Sequence, residues 1–247
     1  MSDSTLLVED DDGLRTITIN RPEVKNALTA SMRARFCELV AEADADDETR
    51  AIIVTAVDPV FSAGVDFKEV AAGTAVRAAA NPGAALRGAA IPVVCAVNGA
   101  CVTGALEIAL SCTFVVASER ARFADTHARL DVVAAWGLTA LLPRAVGVRK
   151  AAEMSITGNF VDAEEALRLG LVNHVVAHEE LMPFTRALAR DIAPTGAVGD
   201  VLDLYRRGDG LPLTDALAIE AAHAAGRRVD PAAFGAAGAA AAKRQKS

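Results

Sequence analysis

Apolar positions in the first half of the chain fall in short runs of strand period, separated by longer stretches of helical period. Residues 6–9 and 15–20 read as two strands, and Asp12-Gly13 between them predicts a hairpin, because both residues tolerate positive φ. Arg21-Pro22 ends the second strand. Thr29 is placed to cap a helix running to about residue 45, with Met32, Phe36, Leu39 and Val40 on one face. Residues 51–55 form a continuous apolar run, the pattern of a short buried strand. The spacing then predicts a loop over 58–64 and a helix near 67–72.

Asn81-Pro82-Gly83 is predicted to break the next helical stretch. Residues 91–97 are rich in β-branched side chains and read as strand, followed by helix over 105–111 and strand over 113–117. Residues 138–146 and 148–156 are helical in period. Asp162 caps a further short helix, with Glu165 as capping-box partner and Gly170 as the stop, and 171–176 reads as a last strand. From His178 onward the pattern is helical throughout. Strands alternate with helices and helices then follow alone, which is an α/β chain with a helical C-terminal part. No repeat of 20–50 residues and no low-complexity linker interrupts it.

A length of 247 residues with 52% hydrophobic and 23% charged positions suits a folded α/β chain and is too apolar for disorder. The 25 Lys and Arg against 32 Asp and Glu leave a net charge of −7, which argues against nucleic acid as the main ligand, since such binding rests on clustered cations. A local basic site for a small anion is still compatible with it. Cys37, Cys95, Cys101 and Cys112 form no C-x-x-C pair and have apolar neighbours, so free buried thiols are expected and a zinc site is not. The opening Met-Ser-Asp-Ser-Thr lacks a basic stretch before an apolar one, and the expected location is cytoplasmic. Residues 97–118 carry only Glu107 as a charge and are long enough to span a bilayer. Asn98-Gly99, Thr103-Gly104 and Ser111 punctuate them and no basic cluster flanks them, so strand, turn, helix and strand is the reading taken.

Several common motifs fail. Gly99 and Gly104 have the spacing of a phosphate-binding loop, but Ala105-Leu106 stands where Lys-Ser/Thr is required. No G-x-G-x-x-G follows a strand and no G-x-S-x-G elbow occurs. His178-Glu179-Glu180 lacks the second histidine of a zincin, and His174 and His178 read as surface residues rather than metal ligands.

Two segments carry candidate chemistry. In 60–69 (Val-Phe-Ser-Ala-Gly-Val-Asp-Phe-Lys-Glu) small residues turn the chain from a strand into a helix, which lets backbone N–H groups approach a ligand; taken alone it is equally an ordinary connection with a glycine turn. In 98–108 Gly104 opens a helix, so its N–H and the helix dipole face the entering turn. Glu107 follows one turn in, among Leu106, Ile108, Ala109 and Leu110. A carboxylate in apolar surroundings resists ionisation. Either it is functional or it is a glutamate favourably placed at a helix N-terminus; the apolar neighbours on both sides favour function.

Together these segments resemble the crotonase superfamily, the enoyl-CoA hydratase/isomerase family. The resemblance covers most of the chain: Ile19-Asn20-Arg21-Pro22, Lys25-Asn26-Ala27-Leu28, Phe61-Ser62-Ala63-Gly64-Val65-Asp66, Ile91-Pro92-Val93, Ala96-Val97-Asn98-Gly99, Gly104 to Glu107, Arg144-Ala145-Val146-Gly147, Thr157-Gly158 and 163–173, in that order. It implies an α/β fold, a crotonase-like spiral of ββα units over 1–190 with a C-terminal helical region over 191–247, assembled as a homotrimer or dimer of trimers. It also implies an acyl-CoA thioester as substrate, with no nucleic acid or membrane partner. Coenzyme A is part of that substrate, and no other cofactor and no metal is implied.

By position, the two backbone N–H groups that hold the thioester oxygen in the family fall at Val65 and Gly104. Valine at 65, where most relatives have alanine, keeps its N–H. Of the family's two catalytic glutamates, the first matches Glu107 and the second falls on His127, with Asp125 two positions away. A histidine can take or deliver a proton, but it changes the charge and reach of the pair, and it can equally be a polar loop residue. Where relatives have a Pro-Gly-rich stretch, this chain reads Val133-Ala134-Ala135-Trp136-Gly137. Trp136 either narrows the acyl pocket or fills core, and core is the preferred reading. The family's nucleotide site implies main chain near Val24, Lys25 and Ala27, and near Ala63, Asp66, Phe67 and Lys68. Lys25 and Lys68 are placed to meet phosphates; Lys243 and Arg244 of the terminal helix add charge, although alanine replaces an aromatic that relatives often carry there. The expected activity is reversible syn addition of water to a 2-enoyl-CoA. Isomerisation, decarboxylation or thioester hydrolysis on the same oxyanion hole, and acyl-CoA binding without efficient turnover, remain as alternatives at this stage.

Overall fold

The computed structural model describes residues 5–72 and 80–228, together with 231, 234, 235 and 238. The chain divides into two compact units, Met1–Val198 and Gly199–Ser247.

The first unit opens with β1 (Leu6–Asp11) and β2 (Leu14–Ile19), paired antiparallel across the Asp12-Gly13 turn. Both turn residues have positive φ, 48° and 74°, the backbone of the predicted hairpin. Helix α1 (Ala30–Asp44) follows, capped by Thr29, whose hydroxyl accepts from the Met32 N–H at 3.2 Å. Three strand pairs then succeed one another: β3 (Ala51–Ala56) with β4 (Val60–Ser62), β5 (Val93–Val97) with β6 (Ala100–Val102), and β7 (Phe114–Ser118) with β8 (Arg122–Ala124). The first member of each pair enters one sheet, ordered β1-β2-β3-β5-β7-β10, where β10 is His174–Val176. The second member enters another, ordered β4-β6-β8-β9, where β9 is Val161–Asp162. Helices α2 (Phe67–Ala71) and α3 (Pro82–Gly88) follow the first pair, and α4 (Gly104–Ser111) follows the second. This is the spiral of ββα turns. The pairs begin at residues 51, 93 and 114, so the turns differ in length and leave no constant period in the sequence.

The larger sheet is parallel from β2 through β10 and covered on both faces, which is why its strands are continuous apolar runs. Alternation within β3 sends Ile52 and Val54 to one side, with Phe36, Leu39 and Val40 of α1. Ala51 and Ile53 go to the other, with Leu181 and Ala189 of α8 (Leu181–Arg190). Between β8 and α8 lie α5 (Leu138–Val146), α6 (Val148–Thr157) and α7 (Ala163–Leu169).

Five local expectations are corrected. The predicted loop over 58–64 contains β4, and β6 and β8 were not foreseen; three-residue strands are too short to show a period. Asn81-Pro82 opens a helix rather than breaking one: the Asn81 side chain caps α3 by accepting from Ala84 N–H at 2.9 Å, and Pro82 occupies the first turn. The last strand starts at His174, not 171. Asp162 does cap α7, but the Glu165 carboxylate pairs with Lys150 at 2.9 Å instead of closing a capping box. His174 and His178 are half-buried: the first packs on the Phe184 ring, and the second bonds Ser118 Oγ at 2.9 Å and Asp58 Oδ2 at 3.0 Å.

In the second unit, α10 (Leu213–Gly226) returns along the end of α9 (Ala197–Gly208), with His223 and Arg227 facing Asp200. Lys243 and Arg244 lie outside the described residues. No described helix is long and apolar enough to cross a membrane.

Candidate active site

The loop carrying Val65 is built from buried polar side chains. Lys25 and Asn26 both have left-handed backbone, φ 56° and 54°, a conformation asparagine tolerates well. Asn26 is fully buried; its Oδ1 accepts from Arg21 N–H at 2.7 Å, and its Nδ2 donates to Val57 O at 2.7 Å and Val60 O at 2.6 Å. Ser62 Oγ donates to Asn26 O at 2.8 Å and accepts from Gly64 N–H at 3.0 Å. Gly64 has φ +90°, and a Cβ there would run into Thr103 Oγ1 and sit 3.2 Å from Gly104 N, so both backbone angle and space demand glycine. Leu28 N–H donates to Gly64 O at 2.8 Å and Asp66 N–H to Leu28 O at 2.9 Å. In extended backbone successive N–H groups alternate sides, so the Val65 N–H faces away from Leu28.

Gly104 reaches the same place from the other chain. Thr103 has φ 51° and ψ −114°, which is strained for a residue with a side chain. Its N–H bonds Ala124 O at 3.0 Å, and its hydroxyl bonds Val102 O at 2.7 Å and Ala63 O at 3.3 Å. This turn starts α4 at Gly104, whose N–H has no acceptor within the helix. The amides of Val65 and Gly104 therefore lie on adjacent backbones.

Glu107 is 2% exposed. Its Oε1 accepts from the N–H of Trp136 at 2.6 Å and of Leu138 at 3.2 Å. Its Oε2 lies 3.7 Å from His127 Nε2, within ion-pair range and longer than a hydrogen bond. On the far side of the ring, His127 Nδ1 is 2.6 Å from Asp125 Oδ1, which also accepts the His127 N–H at 3.1 Å. An ionised Asp125 assigns the proton to Nδ1 and turns Nε2 toward Glu107. Burial pushes the Glu107 carboxyl up; the two amides and the His127 charge oppose this without cancelling it. Asp125 goes the other way. Burial acts to raise it, but hydrogen bonds from the His127 ring, Ser155 and the His127 N–H together hold it below the usual range.

Trp136 joins these parts. It is 7% exposed and belongs to the hydrophobic core. Its N–H holds Glu107, and its carbonyl accepts from Arg87 Nη1 at 2.7 Å, which also donates to Ser111 Oγ at 2.7 Å. Its ring lies against Gly104, where a Cβ would come within 2.8 Å of Cζ3.

The remaining expected residues cluster at the mouth of the first loop. Ala63 N–H bonds Lys25 O at 3.0 Å, drawing the two segments together. Lys25, Ala63, Phe67 and Lys68 are exposed, Val24 is half-buried and Ala27 is buried. Asp66 is buried and structurally committed: it caps α2 through Lys68 N–H at 3.0 Å and pairs with Arg21 at 3.0 Å. Ser62, Thr103 and Arg87 escaped sequence reasoning, because each acts through partners distant in the chain; the only signal was polarity amid small or apolar neighbours. Among the described residues no cluster of three or more His, Cys, Asp or Glu could hold a metal.

Residues 9–223 match the family described as Enoyl-CoA hydratase/isomerase. The chain belongs to that family. Members of the enoyl-CoA hydratase/isomerase family similar to it include the Arabidopsis thaliana protein named "Probable enoyl-CoA hydratase 1, peroxisomal", 34% identical, with 84% of this chain and 80% of the relative covered. A Citrobacter koseri carnitinyl-CoA dehydratase is 35% identical, covering 81% and 79% respectively. Among solved structures, the enoyl-CoA hydratase from Mycobacterium tuberculosis H37Rv superposes with TM-score 0.76 at 44% identity, covering 89% of this chain and 96% of the other. The crotonase fold of this chain is thereby shown.

Proposed function

We propose that the chain hydrates 2-enoyl-CoA thioesters reversibly, by syn addition of water. The observation that carries the reading is Glu107: one oxygen anchored by two amides, the other free and facing His127, one turn beyond the Gly104 amide. The Val65 and Gly104 N–H groups hold the thioester oxygen, and preorganised donors of this kind stabilise the enolate as it forms. Glu107 Oε2 takes a proton from a water that adds to C3. His127 starts as the imidazolium, its Nδ1–H held by Asp125, and its Nε2–H delivers a proton to C2 as the enolate collapses. Transfer of the proton from Glu107 to His127 resets the pair. The raised carboxyl of Glu107 suits a base working near neutral pH, and Asp125 supports the imidazolium.

The reaction uses no cofactor beyond the coenzyme A that the substrate carries. Lys25 and Lys68 supply cations for its phosphates, Phe67 an exposed ring for its base, and the main chain of Val24, Ala27 and Ala63 lines the approach. Assembly as a homotrimer or dimer of trimers needs apolar contact surface, which exposed Val201, Tyr205, Leu213 and Leu217 in the second unit offer. Four free cysteines support a reducing compartment such as the cytoplasm.

A second reading has one specific support. An Asp–His pair beside two oxyanion donors also suits thioester hydrolysis, with His127 activating water toward C1. Incubation with crotonyl-CoA and product analysis by mass separates the two: addition of water without loss of free coenzyme A is expected, and release of free coenzyme A with no hydrated thioester would overturn hydration in favour of hydrolysis.

A further inference from the structure

Arg33, the fourth residue of α1, is 5% exposed. Among the described residues its guanidinium has one polar contact, Nε to Thr29 O at 3.4 Å, and no carboxylate within 4.0 Å. Its Cζ lies 5.7 Å from the centre of the Trp136 ring. A buried cation without a counter-charge is costly, and one cation–π contact offsets only part of that cost.

Its location gives the charge a use. Thr29 follows Leu28, whose backbone pairs with the segment carrying Val65. The Trp136 ring on the other side packs on Gly104. Arg33 therefore contacts the tryptophan that packs on Gly104, from the helix whose cap follows Leu28, the bridge partner of Val65. A plain alkyl chain would leave it uncompensated. A carboxylate at the far end of the acyl group would meet it with two parallel N–H···O bonds.

We infer that Arg33 selects thioesters whose acyl group ends in a carboxylate, the ω-carboxyacyl-CoAs, over their alkyl counterparts. The inference rests on the proposed reading only for where the thioester lies, so its test is binding of saturated, unreactive ligands. Calorimetry compares glutaryl-CoA with pentanoyl-CoA and adipyl-CoA with hexanoyl-CoA, on the full chain and on Arg33→Met and Arg33→Lys. The wild type is expected to prefer one of the two diacid thioesters about tenfold or more, as a charged hydrogen-bonded pair implies. Arg33→Met should abolish the preference and Arg33→Lys should keep part of it. No preference in the wild type overturns the inference whether or not the variants fold. A preference that survives in Arg33→Met overturns it too, and leaves the arginine as a support for Trp136. Crotonyl-CoA hydration assayed in parallel keeps the two claims apart: its absence removes the hydratase reading while the binding ratio still decides the role of Arg33.

Discussion

Gly104→Ala tests whether the amide at the start of α4 holds the thioester oxygen. The added Cβ would lie 2.8 Å from Trp136 Cζ3, 3.4 Å from Cη2 and 3.5 Å from Cε3. Comfortable carbon contacts are about 3.5–4.0 Å, so one partner must retreat by roughly 1 Å. The tryptophan has little freedom, being 7% exposed with its N–H on Glu107 and its carbonyl on Arg87. The helix start moves instead, and a donor displaced by that much no longer makes a hydrogen bond. Losing one oxyanion donor costs about 2.7–4 kcal/mol, a fall in kcat of about 10²–10³. The overpacking itself costs about 1–3 kcal/mol of stability. Steady-state hydration of crotonyl-CoA, with urea unfolding alongside, reads both. Because the interaction is made in the transition state, kcat and kcat/KM should fall together. Trp136→Phe in the same background shortens the ring but keeps the backbone N–H, so the double variant should recover much of the lost rate. A folded Gly104→Ala enzyme with wild-type kcat, or a double variant no faster than the single one, would refute the assignment.

Glu107→Gln should lower kcat about 10²- to 10⁴-fold, the range of general acid–base catalysis, and wild-type kcat should decline as acid protonates a carboxyl whose value lies above the usual one. The same substitution should raise Tm at neutral pH, because ionising Glu107 costs the folded state more than the unfolded; the gain should shrink as pH falls through the raised folded-state value and be gone by about 4.3, where the unfolded glutamate is also protonated. Asp125→Asn removes the ionised partner at His127 Nδ1 and should reduce kcat by up to about 100-fold with KM little changed; equal losses in binding of a saturated acyl-CoA would instead mark a structural residue. Asn26→Ala strips partners from Arg21 N–H and from the Val57 and Val60 carbonyls, and should cost about 2 kcal/mol or more by urea unfolding; an unchanged midpoint would deny that Asn26 holds the first loop together.

The chain's own pattern was sufficient for the elements whose signal is local. The hairpin at Asp12-Gly13, the Thr29 cap and the buried run at 51–55 depend on neighbours within a few residues. Glu107 was legible for a related reason, as the one charge in an apolar helix. The short strands β4, β6 and β8 were not legible, since their pairing with one another, not their composition, makes them strands.

What folding alone decided is how the charges are arranged. Sequence placed Glu107 among apolar residues but could not show that Trp136 and Leu138, some thirty positions on, would give its Oε1 two amides. Nor could it turn the His127 ring, which faces Glu107 because Asp125 grips its opposite nitrogen. Arg33 looked like any helical arginine until α1 packed it against Trp136. Periodicity and caps are properties of adjacent residues and survive in the unfolded string. Protonation, ring orientation and the fate of a buried charge depend on groups far apart in the chain, which come within a few ångströms only when it closes.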